Sequence, residues 1–268
     1  MRTFATGTTG TIGRHLPSSI IGLSIDLSLG QNHFKSIHFD ESDDCLHMAG
    51  IVGPTEVNKD PDYAYSVNVL GTKYLAEQFL EASQGKFYYV STSHVYAKSD
   101  KKISEESDLL PINSYSEQKL IAEYELLNLF SNIQERLCII RVFSVLDWDV
   151  GTFTLGGGIR KLVKRDPNYK LNNCDDRRDF LTPRSIASVL YDITKYRKMS
   201  GIVNLCTSIG TSVGDAAKRM ILESGFEIPE DKIVSGNSDF PTVLGSNQKL
   251  LAALPNLNLE WKPSKYFE

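Results

Sequence analysis

Short apolar runs recur along the chain and are separated by longer segments with helical spacing. The runs lie at 2 to 6, 21 to 26, 35 to 39, 45 to 49, 86 to 91 and 136 to 142. Between several of them apolar side chains recur every three or four residues, as in Val67, Leu70, Tyr74 and in Tyr115, Leu120, Tyr124. Short runs predict strands and the longer spacing predicts helices. Their alternation predicts an α/β fold with a Rossmann-like, doubly wound parallel sheet.

The sequence pattern changes after residue 150. Three consecutive glycines precede a helical segment, and a charged stretch from Asp175 to Leu181 follows it. A helix at about 183 to 196 and a strand at 202 to 206 are expected to return to the sheet. We therefore predict interleaved domains. Residues 1–150 and 183–206 form the Rossmann domain, and residues 151–182 and 207–268 form a smaller C-terminal lobe that binds substrate.

Composition narrows the class of protein. The 268 residues are 41% hydrophobic and 23% charged, which is ordinary globular usage. A net charge of -4 without a long basic run predicts no nucleic-acid or membrane partner. The chain enters a strand within three residues and has no apolar run near ~18 residues, so we expect no signal peptide and a cytoplasmic location. The cysteines, Cys45, Cys138, Cys174 and Cys206, form no CxxC pair and are predicted to be reduced core thiols rather than metal ligands.

A glycine-rich stretch follows the first predicted strand and leads into what we predict to be the first helix. It reads Thr6-Gly-Thr-Thr-Gly-Thr-Ile-Gly13. Gly7 suits a tight turn, Gly10 lets a pyrophosphate approach the backbone, and Gly13 permits close packing. This predicts a dinucleotide site that includes Gly7, Gly10, Thr11, Ile12 and Gly13, although many glycine-rich loops are only turns.

An acidic residue follows at the spacing that a ribose ligand requires. Asp26 lies at the end of the second predicted strand, 19 residues after Gly7. A carboxylate near this offset accepts from the adenosine ribose and repels a 2′-phosphate. The sequence therefore favours NAD over NADP, with NADP not excluded. The alternative is a surface turn aspartate.

Two further segments carry acid/base chemistry. Tyr115 and Lys119 are four residues apart on a predicted helix and so share one face. An ammonium near a phenol is expected to lower the phenol pKa towards the range of a general acid/base. The strand that ends at Ser91-Thr92-Ser93-His94 places hydroxyl groups where doubly wound sheets bind ligands. The alternatives are chance spacing on an amphipathic helix, hydroxyls that only cap a turn, and a surface imidazole.

Together these motifs resemble the extended short-chain dehydrogenase/reductase family, in its NAD-dependent nucleotide-sugar epimerase, dehydratase and reductase branch. The resemblance covers nearly the whole chain. The matching segments are Thr6-Gly-Thr-Thr-Gly-Thr-Ile-Gly13, Leu46-His-Met-Ala-Gly50, Asn68-Val-Leu-Gly-Thr72, Ser91-Thr-Ser-His-Val-Tyr96, Tyr115 with Lys119, Arg141-Val-Phe-Ser-Val145 and Arg178-Asp-Phe-Leu181.

The resemblance implies a role for each matching position. Thr92 corresponds to the catalytic Ser/Thr, Tyr115 to the acid/base, and Lys119 to the residue that holds the ribose and lowers the tyrosine pKa. The remaining implied positions are Ser91, Ala49, Gly50 and Asn68 beside the cofactor, Asp40 near adenine, and Ser93, His94 and Arg178 towards the substrate.

Departures from the family pattern narrow the reaction. Dehydratases of this branch carry Asp-Glu where this chain has Ser93 and His94, which disfavours dehydration. An arginine that often binds the substrate diphosphate is replaced by Phe240. The expected function is that of an NAD(P)-dependent epimerase or ketoreductase of a nucleotide-linked sugar. The alternatives are an oxidoreductase acting on a small non-nucleotide ketone or alcohol, and a non-catalytic dinucleotide-binding sensor or structural protein.

The helix that follows Tyr115 has apolar residues on more than one side, from Leu120 to Phe130. A helix of this kind must be covered on several sides. The sequence thus raises the hypothesis of a homodimer through this helix, the alternative being a helix wedged within one chain.

We expect calorimetry to show tighter binding of NAD than of NADP, because the Asp26 carboxylate repels the 2′-phosphate. Asp26→Ala should remove this preference. Binding of neither cofactor, or an NADP affinity at least equal to that of NAD and unchanged in Asp26→Ala, would contradict the assignment.

Overall fold

The computed structural model describes residues 1–29, 37–152 and 154–266. The strands are β1 (Thr3–Thr6), β2 (Ile20–Leu23), β3 (Asp44–His47), β4 (Phe87–Thr92), β5 (Leu137–Val142), β6 (Ser144–Val145), β7 (Arg177–Arg178), β8 (Phe180–Leu181), β9 (Gly201–Leu205), β10 (Thr211–Ser212) and β11 (Thr242–Val243). The α-helices are α1 (Pro54–Val57), α2 (Pro61–Tyr65), α3 (Thr72–Ala82), α4 (Ser114–Leu129), α5 (Leu155–Val163), α6 (Pro183–Tyr196), α7 (Val213–Glu223) and α8 (Gln248–Ala253).

A parallel sheet of six strands, in the order β2-β1-β3-β4-β5-β9, forms the centre of the molecule. The chain leaves β1 for β2 on one side and then returns to β3 on the other side of β1. The carboxyl ends of β1 and β3 therefore form the topological switch point at which such sheets bind ligands. The predicted α/β fold is confirmed, including the return of the strand near Ile202 to the sheet.

The predicted first helix is wrong. Between β1 and β2 the chain makes only a single 3₁₀ turn, Gly13–His15. Pro17 follows directly, and a proline disfavours helical geometry in the residue before it, so Leu16 is extended (φ -67°, ψ 146°). The run predicted as a strand at 35 to 39 lies partly outside the described residues, and residues 37–39 are not in a strand.

Side chains alternate between the two faces of the sheet and define two layers of core. Tyr88 and Val90 lie on the face covered by α6, whereas Phe87 and Tyr89 lie on the face covered by α3 and α4. A capping box between Asn113 and Ser116 starts α4, with mutual side chain to backbone hydrogen bonds. On this helix Lys119 lies over the Tyr89 ring, on the second face.

Most of the remaining elements form a lobe with its own core. In it β7 pairs with β10 and β11, and Trp148, Phe180 and Trp261 pack with α5 and α7. The Trp261 indole Nε1 donates to the Leu146 carbonyl at 2.9 Å. The division at residues 150, 182 and 206 stays a prediction.

Two further expectations can be compared with the described residues. All four cysteines are buried and unpaired, as predicted for core thiols. Within residues 1–29, 37–152 and 154–266, no helix is both long and apolar enough to span a bilayer.

A fully buried ion pair fastens α4 to the sheet. Arg141 on β5 contacts Glu123 on α4 with an Nη2 to Oε2 distance of 2.5 Å, and both side chains are 1% exposed. Ser91 on β4, the register partner of Arg141, donates its hydroxyl to Glu123 Oε1 at 2.5 Å. The pair fixes how the helix that carries Tyr115 and Lys119 lies on β4 and β5.

We expect Arg141→Met to lower the free energy of unfolding by about 3–5 kcal/mol, since it leaves the Glu123 carboxylate buried without its main cation. The double variant Glu123→Gln/Arg141→Met should recover most of this loss, because neither charge then remains. Urea unfolding monitored by tryptophan fluorescence measures both. Equal losses in the single and double variants would refute the argument.

Candidate functional site

The glycine-rich stretch forms a tight loop at the switch point. Gly7 has a positive φ of 72°, and a Cβ at this position would lie 2.8 Å from the Ala49 backbone nitrogen. A Cβ on Gly13 would overlap the Gly7 carbonyl and the Thr8 Cα. Positive φ and such close contacts favour glycine at both positions. Gly10 is different, since its Cβ would meet only the Gly7 carbonyl oxygen at 3.2 Å.

Two neighbouring segments hold this loop in place. Thr6 Oγ1 accepts the backbone N–H groups of Met48 and Ala49, each at 3.2 Å. Arg14, directly after the glycines, forms an ion pair with Asp149 at 2.7 Å. The glycine loop is thus held to the residues that follow β3 and, through Asp149, to the segment after β6.

Asp26 and Asp40, the two carboxylates predicted to lie near the adenosine, are at opposite ends of the strands. Asp26 is at the carboxyl ends and Asp40 is at the amino ends. Asp26 is exposed and lies three residues beyond the carboxyl end of β2, and its Oδ1 accepts from the Ser28 backbone N–H at 2.9 Å. Asp40 precedes β3 and pairs with Arg2, which precedes β1, at 2.7 Å. The amino ends of β1 and β3 lie opposite the glycine loop, so the structure does not bring Asp40 to the site. The adenine role implied for Asp40 disagrees with this placement.

Asn68 joins the cofactor wall to α4. It lies in a π-helical turn, Ser66–Gly71, and its Oδ1 accepts from the Ile51 N–H at 2.8 Å. Its Nδ2 donates to the Ile51 carbonyl and to Gln118 Oε1, both at 3.0 Å. A Cβ on Gly50 would lie 2.8 Å from Asn68 Oδ1, so the wall formed by Ala49 and Gly50 packs tightly on this amide.

Lys119 is buried against β4. Its Nζ donates to the Val90 carbonyl at 2.8 Å and lies 3.9 Å from the centre of the Tyr89 ring. Burial lowers the pKa of Lys119 to about 7, although Glu123 acts in the opposite direction. The Lys119 amine therefore contacts β4 at Val90, two residues before this strand ends at Thr92.

The predicted lowering of the Tyr115 pKa is wrong. Tyr115 is partly buried, and burial raises its pKa to about 12, because a phenolate is poorly solvated there. Lys119 directs its charge at Val90 and Tyr89 instead. Tyr115 is consequently a neutral phenol at neutral pH in this structure.

Thr92 ends β4 at the carboxyl edge of the sheet. Its Oγ1 caps the short turn Ser93–Val95 by accepting from the His94 N–H at 3.2 Å, and α4 packs against this turn. Ser93 is buried, and the buried Nδ1 of His94 has no hydrogen-bond partner among the described residues. Burial and nearby Arg178 both lower the pKa of His94, so the imidazole is neutral at pH 7.

Arg178 lies in the lobe and already has several partners. It donates to Asp176 at 2.9 Å and to the Pro241 carbonyl at 3.2 Å, next to Phe240. Arg178 also acts electrostatically on His94 and lowers the pKa of that imidazole. Ser93 and His94 lie in the turn that follows β4, and Arg178 lies on β7 of the lobe.

Four buried residues that support the predicted site residues were not predicted from the sequence. They are His47, Thr72, Gln118 and Glu123. The signal was present in part, since Gln118 and Glu123 lie on the helix of Tyr115 and Lys119. His47 and Thr72 belong to matching motifs, but the contacts of His47 with Thr72 and with Thr6 join residues 25 and 41 positions apart.

The chain belongs to the NAD dependent epimerase/dehydratase family, whose model matches residues 4–206. The family predicted from the motifs is therefore confirmed, and this membership places the chain among the NAD(P)-dependent sugar epimerases, reductases and dehydratases of the extended short-chain type.

Similar proteins extend over nearly the whole chain. GDP-6-deoxy-D-talose 4-dehydrogenase of Aggregatibacter actinomycetemcomitans is 24% identical over 96% of this chain and 92% of its own length. RMD from Pseudomonas aeruginosa, complexed with NADPH, has a TM-score of 0.80 at 21% identity and covers 98% of this chain and 93% of its own. MoeE5 in complex with UDP-glucose and NAD has a TM-score of 0.79 at 20% identity, covering 98% and 94%. The likeness to these two structures shows the shared fold.

The residues at the switch point fit a nicotinamide dinucleotide. A tight turn at Gly7, an unobstructed backbone at Gly10 and an exposed carboxylate at Asp26 are the features that a pyrophosphate and a ribose require. Thr92 and Lys119 stand at the neighbouring strand end. We therefore expect Gly10 to contact the dinucleotide and Gly13 to serve the loop itself.

Gly10→Val should weaken NAD binding at least about tenfold, or about 1.4 kcal/mol, while the melting temperature stays near that of the wild type. Gly13→Ala should instead lower the melting temperature, because its Cβ overlaps the Gly7 carbonyl. Calorimetry and thermal unfolding of the two variants separate these effects. Equal unfolding of both variants would show that Gly10 is also a structural position.

Proposed function

We propose that this chain is an NAD(P)-dependent ketoreductase or epimerase of a nucleotide-linked sugar, with hydride transfer at one carbinol/ketone carbon and Tyr115 as the acid/base. NAD is the proposed cofactor, with NADP as the alternative. The residues proposed to hold the dinucleotide are Gly7, Gly10, Thr11, Ile12, Gly13, Asp26, Ala49, Gly50, Asn68, Ser91, Tyr115 and Lys119. Thr92, Tyr115 and Lys119 are the proposed catalytic residues.

One arrangement carries the proposal. Contacts run without a break from the glycine loop to the acid/base helix: Thr6 bonds His47, His47 stacks on Tyr89 with ring centres 5.7 Å apart, and Lys119 lies over Tyr89. This continuity supports a single site at the carboxyl edge of the sheet for the groups that would hold a dinucleotide and those that would move a proton. A protein that only bound a dinucleotide would not need the second set.

When bound, the nicotinamide ring supplies or accepts the hydride at the sugar carbon. Tyr115 gives a proton to the ketone oxygen or takes one from the carbinol, and Thr92 donates a hydrogen bond to the same oxygen. Lys119 holds a ribose hydroxyl, for which it must leave or share the Val90 carbonyl. The proton thus moves at the Tyr115 hydroxyl oxygen.

Reduction has more support than epimerisation. A raised pKa keeps Tyr115 as a phenol, the form that protonates a ketone oxygen. An epimerase must also begin with oxidation, which requires the phenolate. The relative from A. actinomycetemcomitans is a 4-dehydrogenase of a GDP-linked deoxy sugar, which supports simple hydride transfer at one carbon. Ser93 and His94 stand in place of the dehydratase Asp-Glu pair, which disfavours elimination of water.

The proposed substrate side is formed by Ser93, His94 and Arg178. Arg178 retains guanidinium N–H groups beyond those given to Asp176 and to the carbonyls of Arg177 and Pro241, so it can contact a diphosphate. Phe240, in place of the expected arginine, leaves the alternative of a small non-nucleotide ketone or alcohol. The UDP-glucose bound to MoeE5 supports the nucleotide-sugar choice.

A non-catalytic dinucleotide binder is the second candidate function. The crossover after the glycine loop has one short turn in place of a helix, and Asp40 lies away from the site. A protein that only senses a dinucleotide tolerates the loss of the crossover helix and of the Asp40 contact better than an enzyme does.

A homodimer through α4 and a cytoplasmic location remain predictions. Tyr124 is 54% exposed in the middle of α4, while Leu126 and Phe130 are fully buried within the chain. Much of the apolar surface that prompted the dimer hypothesis is therefore covered by the sheet and α3.

We expect purified protein with NADH or NADPH and keto-nucleotide sugars to oxidise the reduced cofactor stoichiometrically, as followed by its absorbance. Epimers formed without net cofactor turnover would indicate the epimerase instead. Tyr115→Phe should lose the activity and keep cofactor affinity, since only the transferable proton is removed. Full activity in Tyr115→Phe would dismiss this residue as the acid/base, and silence of the wild type in both assays would favour the non-catalytic binder.

A further inference from the structure

His47 is a fully buried histidine at the carboxyl end of β3 that has no part in the chemistry described above. Both of its ring nitrogens are bonded. Nδ1 lies 2.6 Å from Thr6 Oγ1 on β1, and Nε2 lies 2.9 Å from Thr72 Oγ1 at the start of α3. The ring therefore bridges the strand before the glycine loop and the helix after the π-helical turn.

The partners of Thr72 determine which nitrogen carries the proton. A threonine hydroxyl has one hydrogen to donate, and Thr72 donates it to the Asn68 carbonyl at 2.8 Å. Towards His47 it can therefore only accept, so Nε2 must be the protonated nitrogen. In the neutral ring Nδ1 is then an acceptor, and Thr6 Oγ1 must donate to it.

Donation from Thr6 to His47 is compatible with the other hydrogen bonds of Thr6 Oγ1. With its hydrogen given to His47, Thr6 Oγ1 has its lone pairs free for the N–H groups of Met48 and Ala49. The Ala49 nitrogen is the atom that a Cβ on Gly7 would approach to 2.8 Å. The orientation of the Thr6 hydroxyl thus sets the contact between the wall and the glycine loop.

At its other end the chain of hydrogen bonds reaches the acid/base helix. Thr72 bonds Asn68, and the Asn68 amide bonds Gln118, which precedes Lys119 on α4. All of these groups are buried. A hydrogen-bonded path of uniform direction therefore extends from the glycine loop to the segment that carries Tyr115 and Lys119.

Burial, and next to it the charge of Lys119, keeps His47 neutral. The ring stacks on Tyr89 of β4 and lies near Phe87, and the cation facing it is Lys119 from α4. Thr6 and Thr72, from β1 and α3, are uncharged. Burial and Lys119 lower the pKa of His47 to about 3. A proton on Nδ1 would confront Thr6 Oγ1 with a third donor and reverse the path.

We propose that His47 is a positioning residue, held as the neutral Nε2–H tautomer, that fixes the glycine loop and the cofactor wall relative to α4 through the path Ala49–Thr6–His47–Thr72–Asn68. The effect on dinucleotide affinity rests on the proposed function. The tautomer and the transmission along the path do not depend on it, so they can be tested without cofactor.

The first test is nitrogen NMR of protein labelled in histidine, with His47→Gln used to assign the resonance. We expect protonated Nε2, bare Nδ1 and no titration of His47 between about pH 5 and 9, unlike a histidine of ordinary pKa near 6.5. An Nδ1–H tautomer, or titration within that range, would overturn the proposal.

The second test compares Thr72→Val with Thr72→Ser, because valine has the shape of threonine without the hydroxyl and serine keeps the hydroxyl. In Thr72→Val the amides of Met48 and Ala49 should exchange at least about tenfold faster than in the wild type, and NAD should bind at least about tenfold more weakly. Thr72→Ser should stay within about twofold in both.

The outcomes distinguish a failure of the positioning path from a failure of the proposed function. If the amides of Met48 and Ala49 exchange alike in both variants, His47 has only a packing role and the proposal fails, even if the melting temperature of Thr72→Val falls. If exchange responds as expected but the wild type binds neither NAD nor NADP, the positioning path stands and the proposed function fails.

Discussion

The site depends on the burial of a charged helix face against an apolar sheet. Tyr115, Lys119 and Glu123 are spaced by four residues and so form one stripe of α4, directed at β4 and β5. Buried charges are costly unless they are paired and hydrogen-bonded. Here Glu123 has Arg141 and Ser91, and Lys119 has the Val90 carbonyl and the Tyr89 ring. These contacts hold α4 against β5 and against β4, the strand that ends at Thr92.

The same burial explains the ionisation states at the site. Desolvation raises the pKa of Tyr115 and lowers those of Lys119, His47 and His94, so each group shifts towards its uncharged form. A proton donor, an amine near its midpoint and two neutral imidazoles result. The proximity of one charge to another matters less than the exclusion of water from all of them.

The cofactor half is shorter than its motif implies, yet its geometry is retained. The turn Gly13–His15 ends two residues before Pro17, so the loop lacks the support of a long helix. Support comes instead from β3 through the Thr6 hydroxyl and from the segment after β6 through Asp149. Tertiary contacts replace the secondary structure that normally follows such a loop.

The family resemblance assigned the role of Thr92. Spacing and periodicity predicted the α/β class and the sheet strands near the site, which the structure confirms, and they singled out the glycine loop and the pair Tyr115 and Lys119. These features have short-range signals, namely strand and helix periodicity, glycine spacing and the four-residue interval. The turn that replaces the predicted first helix ends before Pro17, which is a local effect. The position of Asp40 followed from its pairing with Arg2, which exists only once β1 and β3 lie side by side. The Tyr115 pKa, the Glu123–Arg141 pair and the His47 path were decided by tertiary structure alone. Burial and hydrogen bonding between distant segments exist only when the chain is packed, so spacing along the sequence cannot reveal them.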